Sequence, residues 1–279
     1  FGALTPTHPY NHSVIGLGEH LKNPSLQNIM EFFHQYYVPN NVAICMSGDF
    51  DPDNAMDIIT KYFGAWEKNE DLKLPEIEAQ PELTEVVEKE AVTPNPESVL
   101  LSWRFDGINS HQSDTLALLS QVLHNGKAGL LDLDLNLPQK VNGSQSEIVS
   151  YCDYTAFLLA AMPQPGQTLD DLRNLLMQEV EKVWKGDFSD DLVTSIITEK
   201  KLAEQHMLEN NSSRAMQYVD AFTNDVDWAD EVGKLGRIEK LTKEDIIAFA
   251  KKHLKDNNYV CVYKIARSEE RFSRNAETD

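Results

Sequence analysis

Two strand-like runs, "SQSEIVSYC" and "YTAFLLAAMP", are separated by a single residue, Asp153. "SEIVSYC" alternates polar and apolar side chains, and "YTAFLLAAM" is a short continuous apolar run. A crossover between parallel strands needs a dozen or more residues, so these two runs must pair as an antiparallel hairpin. Two further runs, "LTEVVEKEAV" and "ESVLLSWRF", come earlier, and "YVCVYKI" comes late. From residue 83 the order is strand, strand, helix, helix, strand, strand, several helices, strand. Paired strands with helices grouped between them predict an α+β fold over 83–268, its sheet mostly antiparallel and its helices packed on one face.

The helices carry their own start signals. "SHQSDTLALLSQVLHNG" is helical from near Ser110 to near Gly126, and "KAGLLDLDLNLP" is a shorter helical segment. Thr168 and Asp171 form a capping box for a long helix. Leu169, Leu172, Leu176, Val180 and Val183 run down its inner face, so Leu176→Asp is expected to unfold the domain and Glu179→Lys to be nearly neutral. Ser189 caps the next helix, and Thr242 with Asp245 makes a second capping box.

The opening 66 residues have a different pattern. Ser25 caps a helix with Leu26, Ile29, Met30, Phe33 and Tyr37 on one stripe. "VAICMS" at 42–47 is expected to be a strand. Asp51 and Pro52 start a second helix, with Ala55, Ile58, Ile59 and Tyr62 as its apolar face and Gly64 at its end. Residues 67–82 hold two prolines and many charges without a period and read as a linker. Residues 269–279 read as a polar tail.

Lys plus Arg number 25 against 45 Asp plus Glu, a net charge of −20. That balance disfavours nucleic acid and anionic membrane surfaces as partners. The longest apolar runs fall short of a membrane span. Cys45, Cys152 and Cys261 sit in apolar, strand-like settings without C-x-x-C spacing; they read as buried free thiols compatible with a reducing compartment. Localisation itself stays open. The chain opens mid-fold with "FGALTP" and no Met, as a piece of something longer would.

Chemistry is sparse. His8 and His12 have the i, i+4 spacing of a helical zinc pair, but Pro9 between them denies an N–H to a helix and biases His8 toward extended backbone. Glu19 adjoins His20, yet position 16 is Gly, so H-x-x-E-H is absent. His206 and Glu209 give H-x-x-E, but Asn210 follows. Catalytic zinc needs three protein ligands and a base, and this chain does not offer them. There is no G-x-S-x-G elbow, and Gly126-Lys127-Ala128-Gly129 lacks the phosphate-loop spacing. The sequence therefore offers no catalytic, cofactor-binding or metal-ligating candidate.

One combination of short motifs is specific. His8-Pro9-Tyr10, Gly16, Phe33-x-x-x-Tyr37-x-Pro39-x-Asn41, Gly48-Asp49-x-Asp51 and Tyr62-Phe63-Gly64 together resemble the rear of the zinc-binding domain of pitrilysin/insulinase (inverzincin) metallopeptidases. Residues 97–265 resemble that family's metal-free domain in element order, with little beyond "GKAGLL" as sequence support. The resemblance implies that 1–66 is a partial copy of the fold that 83–268 repeats. It also implies that the H-x-x-E-H helix and the glutamate ligand lie ahead of this chain. Zinc is then implied for a parent endopeptidase and not for these residues. The implied partners are the remaining half of the peptidase, on the same chain or another, and peptide substrates, with self-association possible. The family's substrate-touching Arg/Tyr pair is not matched in context by Arg214 and Tyr218. Two alternatives stay open: a non-catalytic scaffold or substrate-binding subunit of the same fold, and a binding module unrelated to proteolysis.

Overall fold

The computed structural model describes residues 1–267. The first region holds α1 (Leu26–Tyr36) and α2 (Pro52–Phe63) joined by extended chain. The second begins with β1 (Val87–Thr93) and β2 (Ser98–Asp106), then α3 (Gln112–Leu123) and a π-type turn at Asp132–Asn136. β3 (Gly143–Ser150) and β4 (Tyr154–Met162) follow, then α4 (Leu169–Lys185), α5 (Asp190–Leu208), α6 (Asn211–Thr223), α7 (Trp228–Ile238), α8 (Lys243–His253) and β5 (Val260–Ala266). The polar tail expected at 269–279 lies outside the described residues.

The sheet order is β1-β5-β2-β4-β3. The hairpin read from the sequence is β3–β4, with Ser150 opposite Thr155. Every neighbouring pair is antiparallel except β1 with β5, where Val87 stands opposite Val260. Helices α3, α4 and α8 cover one face, and α5, α6 and α7 stack outside α3.

Strand alternation sorts the core. Val99, Leu101, Trp103 and Phe105 of β2 and Phe157, Leu159 and Ala161 of β4 point into the helical layer. Leu116, Leu119, Leu172, Leu176 and Ile246 meet them from the helices. Both capping boxes form, at Thr168/Asp171 and Thr242/Asp245. On the opposite sheet face, Ala156 and Val260 are buried under Leu4, with Phe1, Ala3 and Leu83 packed around them. The chain's first residues thus form part of the cover of the second region's sheet.

Three expectations need correction. Segment 42–47 is extended but is not a strand, because it lies beside no sheet partner among the described residues. Cys152 is exposed in the β3–β4 turn and Cys45 is half-buried, leaving only Cys261 in the core. Glu179 is buried, 3% exposed, instead of facing solvent. It lies three residues after Leu176 and four before Val183, so helical geometry puts it on the core-facing side. Lys182 Nζ donates to its Oε1 at 2.9 Å and to Asp134 Oδ2 at 2.7 Å.

Candidate functional site: the His-Pro-Tyr clasp and the exposed apolar face

The His-Pro-Tyr landmark forms one 3-10 turn, Pro9–Asn11, with His8 as its cap in extended backbone (φ −91°, ψ 152°). The helical phase a zinc pair would need is absent, and His12 is exposed at the far end of the turn. His8 Nδ1 accepts from the Tyr10 N–H at 3.2 Å. The ring proton of neutral His8 is then on Nε2, which faces Asp153 Oδ2 at 3.2 Å. The Asp153 N–H donates back to Tyr10 Oη at 3.3 Å. The Tyr151 ring packs against Phe1 and Tyr10.

A second set of bonds ties in the linker. Gln80 Oε1 accepts from the Thr7 N–H at 3.1 Å, and the Gln80 N–H donates to Tyr154 Oη at 2.8 Å. The Arg104 guanidinium, projecting from β2, donates to the carbonyls of Leu4, Gln80 and Pro81. Buried His8 and Gln80, with half-buried Arg104, therefore clasp the opening residues and the linker onto the β3–β4 turn. The clasp holds no nucleophile, and its chemistry is positional.

Beyond the clasp, the first region buries one described side chain, Val38. The N-caps expected at Ser25 and Asp51 form, accepting from the N–H groups of Asn28 and Asn54. Yet neither α1 nor α2 buries a single residue. Leu26, Ile29, Met30, Phe33 and Tyr37 on the first stripe, and Ile58 and Tyr62 on the second, are all exposed. Val14, Ile15 and Leu17 are exposed as well. Local sequence makes these helices amphipathic, but nothing among the described residues covers the apolar side.

The remaining sequence candidates separate in space. Among the described residues His206 pairs with Glu209, at 3.7 Å on an exposed helix end, and Asn210 is the N-cap of α6, accepting from the Ser213 N–H. Arg214 Nε donates to Ser47 Oγ at 3.0 Å, bracing the first region, whereas the Tyr218 ring lies 4.4 Å from the Trp228 ring. Arg214 and Tyr218 thus serve different contacts. Burial pushes the Cys261 thiol up, and partial desolvation with the neighbouring Asp153 carboxylate pushes up that of exposed Cys152, making both poor thiolates. Among the described residues, no group of three His, Cys, Asp or Glu side chains could hold a metal ion.

Sequence reading missed one structural carboxylate. The "HNGKAGLLD" loop wraps Asp132, whose Oδ2 accepts N–H bonds from Asn125, Gly126 and Gly129 at 3.0, 3.0 and 3.1 Å. His124 Nδ1 lies 2.7 Å from Oδ1. Burial alone would raise this carboxyl's pKa, but the Asn125 N–H, His124 and the Gly129 N–H outweigh it and hold it below the ordinary value. The partners of His8 were also missed, because Asp153 lies 143 residues beyond Tyr10 and no local pattern marks so distant a pair.

The family model described as "Peptidase M16 inactive domain" matches residues 24–200. No curated protein matches the chain. Among solved structures, a protease from Helicobacter pylori is similar with a TM-score of 0.83 at 20% identity, over 91% of this chain and 62% of that one. A peptidase M16 inactive domain from Pseudomonas fluorescens is similar with a TM-score of 0.77 at 18% identity, over 94% of this chain and 63% of that one. Complex III2 from Candida albicans contains a chain similar with a TM-score of 0.71 at 18% identity, over 99% of this chain and 68% of that one. The chain thus spans less than two thirds of the length of the two bacterial proteins, and at these identities the likeness is one of fold. The family model, in contrast, covers well over half of the sequence, and the protein belongs to the pitrilysin-type M16 peptidase family as an inactive-domain member.

Proposed function

We propose that this chain is a non-catalytic wall of an M16-type peptidase assembly, holding peptides beside a zinc site carried by a partner half. The observation that carries this reading is the amphipathic pair α1 and α2, whose apolar stripes are exposed while the His8 clasp fixes their segment to the α+β domain. Each of those side chains would contribute about 1.5–3 kcal/mol on full burial, so a covering partner has ample driving force. We further propose the division 1–66 as the rear of a zinc-peptidase-like domain, 67–82 as linker and 83–268 as the metal-free domain. The covering half, on the same chain or a separate one, would supply H-x-x-E-H. None of the residues described here is given a zinc-binding or catalytic role.

The test mixes the purified chain with an M16 half that contains H-x-x-E-H and is encoded in the same reading frame or beside it. Chelator-sensitive cleavage of unfolded peptides is expected from the mixture and not from the chain alone, and elemental analysis should find no stoichiometric zinc on the chain. Cleavage by the zinc half at an unchanged rate without this chain would overturn the wall role. Similarity to a chain of Complex III2 favours one second reading, a scaffold subunit of the same fold. A stable complex that cleaves nothing would support the scaffold instead.

A further inference from the structure

Helices α5 and α7 face each other across a groove of about 440 Å³. Lys200, Glu204 and Met207 line it from α5 at i, i+4 and i+7, and Trp228, Val232 and Leu235 repeat that spacing on α7. The walls are mainly apolar, and Lys200 sits among them half-buried. The next residue, Lys201, points elsewhere, its Nζ lying 3.0 Å from Glu239 Oε1. Four charged groups and one amide surround Lys200. Glu204 on its own helix and Glu231 on α7 line the groove, and neither forms an ion pair with it among the described residues. Gln217 faces the groove from α6. Buried Asp114 of α3 is engaged by Arg237, whose Nε donates to its Oδ2 at 2.7 Å. Lys234 brings a second ammonium from α7. Burial pushes the Lys200 amine below its ordinary value, the Lys234 ammonium adds to the shift, and the Asp114 carboxylate opposes both without reversing them. An apolar setting beside another cation is what turns a lysine into a nucleophile, because more of it is the neutral amine.

We propose that Lys200 is a reactive amine that condenses with aldehydes carrying an apolar chain, the chain lying in the groove between α5 and α7. The neutral nitrogen adds to the carbonyl carbon, the two amine hydrogens leave with the carbonyl oxygen as water, and an imine remains. The step balances without an oxidant or a reductant. The walls select the aldehyde: a hydrocarbon chain buries apolar area against Trp228, Val232 and Leu235 that a two-carbon aldehyde lacks. The inference rests on this groove and stands whether or not the chain serves as a peptidase wall.

The test is reductive trapping on the whole chain. Hexanal and cyanoborohydride are added near neutral pH, and peptide mass spectrometry follows the rate at each lysine. Lys200 should be labelled at least about threefold faster than exposed Lys252 and Lys255, since the neutral fraction rises about tenfold for each unit by which an amine is pushed down. Acetaldehyde is the counterpart. The ratio of hexanal to acetaldehyde labelling should be at least about threefold higher at Lys200 than at Lys252, because only the longer chain fills the groove. Lys234→Gln removes the repelling ammonium, so Lys200 should hold its proton more tightly and be labelled about twofold more slowly. A thermal melt checks the fold of that variant, and if it fails to fold, the parent chain with the two aldehydes decides alone. Labelling of Lys200 no faster than that of Lys252 would overturn the proposal. So would the same hexanal-to-acetaldehyde ratio at both lysines.

Discussion

His8 shows how one side chain can look like a metal ligand and serve as a fastener. Its Nδ1 is occupied by the Tyr10 N–H and its Nε2 by Asp153, so neither nitrogen is free for a metal. His8→Ala should cost about 1–2 kcal/mol, at the lower end of the range for bonds to charged groups because Asp153 is half exposed. Asp153→Asn retains an acceptor for Nε2 and should cost less. Limited proteolysis distinguishes the clasp from general destabilisation: His8→Ala should speed cutting ahead of residue 82 and leave 83–267 resistant. Asp132 governs a pH response instead. Its pKa is lowered by folding, so the stability it contributes is present above the unfolded carboxylate value, near 3.9, and disappears as pH falls through the folded value. Denaturant melts across pH 2–6 should show Asp132→Asn about 1–3 kcal/mol less stable near neutrality, with the gap closing in acid. A gap independent of pH would show that the Asp132 charge is not what the loop is built around.

At the scale of elements, α4 is the sharpest case. Its start, length and apolar stripe are all legible in "TLDDLRNLLMQEVEKVWKG", and the capping box and the αL Gly186 that ends the helix confirm them. Glu179 was not legible as buried, since charge in sequence suggests solvent; its core-facing position on α4 and its ion pair with Lys182, which also reaches Asp134, explain its place. Leu176→Asp, at a fully buried position, should cost more than about 4 kcal/mol. Glu179→Lys should cost about 3–5 kcal/mol, because it sets a second ammonium against Lys182 in a buried site. Urea melts of both variants check this, and a neutral Glu179→Lys would mean the ion pair does not form. The hairpin was readable because its partners are adjacent in sequence. The parallel β1–β5 pair was not, since its members are more than 160 residues apart. Segment 42–47 failed for the complementary reason: an apolar extended run has the propensity of a strand but becomes one only beside a partner.

The molecule as a whole is uneven in a way that its composition conceals. The region from β1 onward has a contiguous core of fully buried side chains on the helical face of its sheet, whereas α1 and α2 bury none. Stability should follow that division, since local opening is easiest where few apolar contacts hold a segment. In the isolated chain, amides of 26–36 and 52–63 should exchange far faster than those of β2 and β4. Uniform protection in a monomer would mean that the first region has a core of its own. The same asymmetry predicts an unusual result for substitution. Replacing a buried aromatic normally destabilises, but Phe33 and Tyr62 face solvent, 47% and 69% exposed. Phe33→Glu combined with Tyr62→Glu should leave the melting of the α+β domain within about 0.5 kcal/mol of the parent and should reduce binding of a hydrophobic dye, because it removes two exposed aromatic side chains. If a partner half covers this face, the double variant should also fail to join it while still folding normally. A variant that binds the partner as the parent does would show that the covered surface lies elsewhere on the chain.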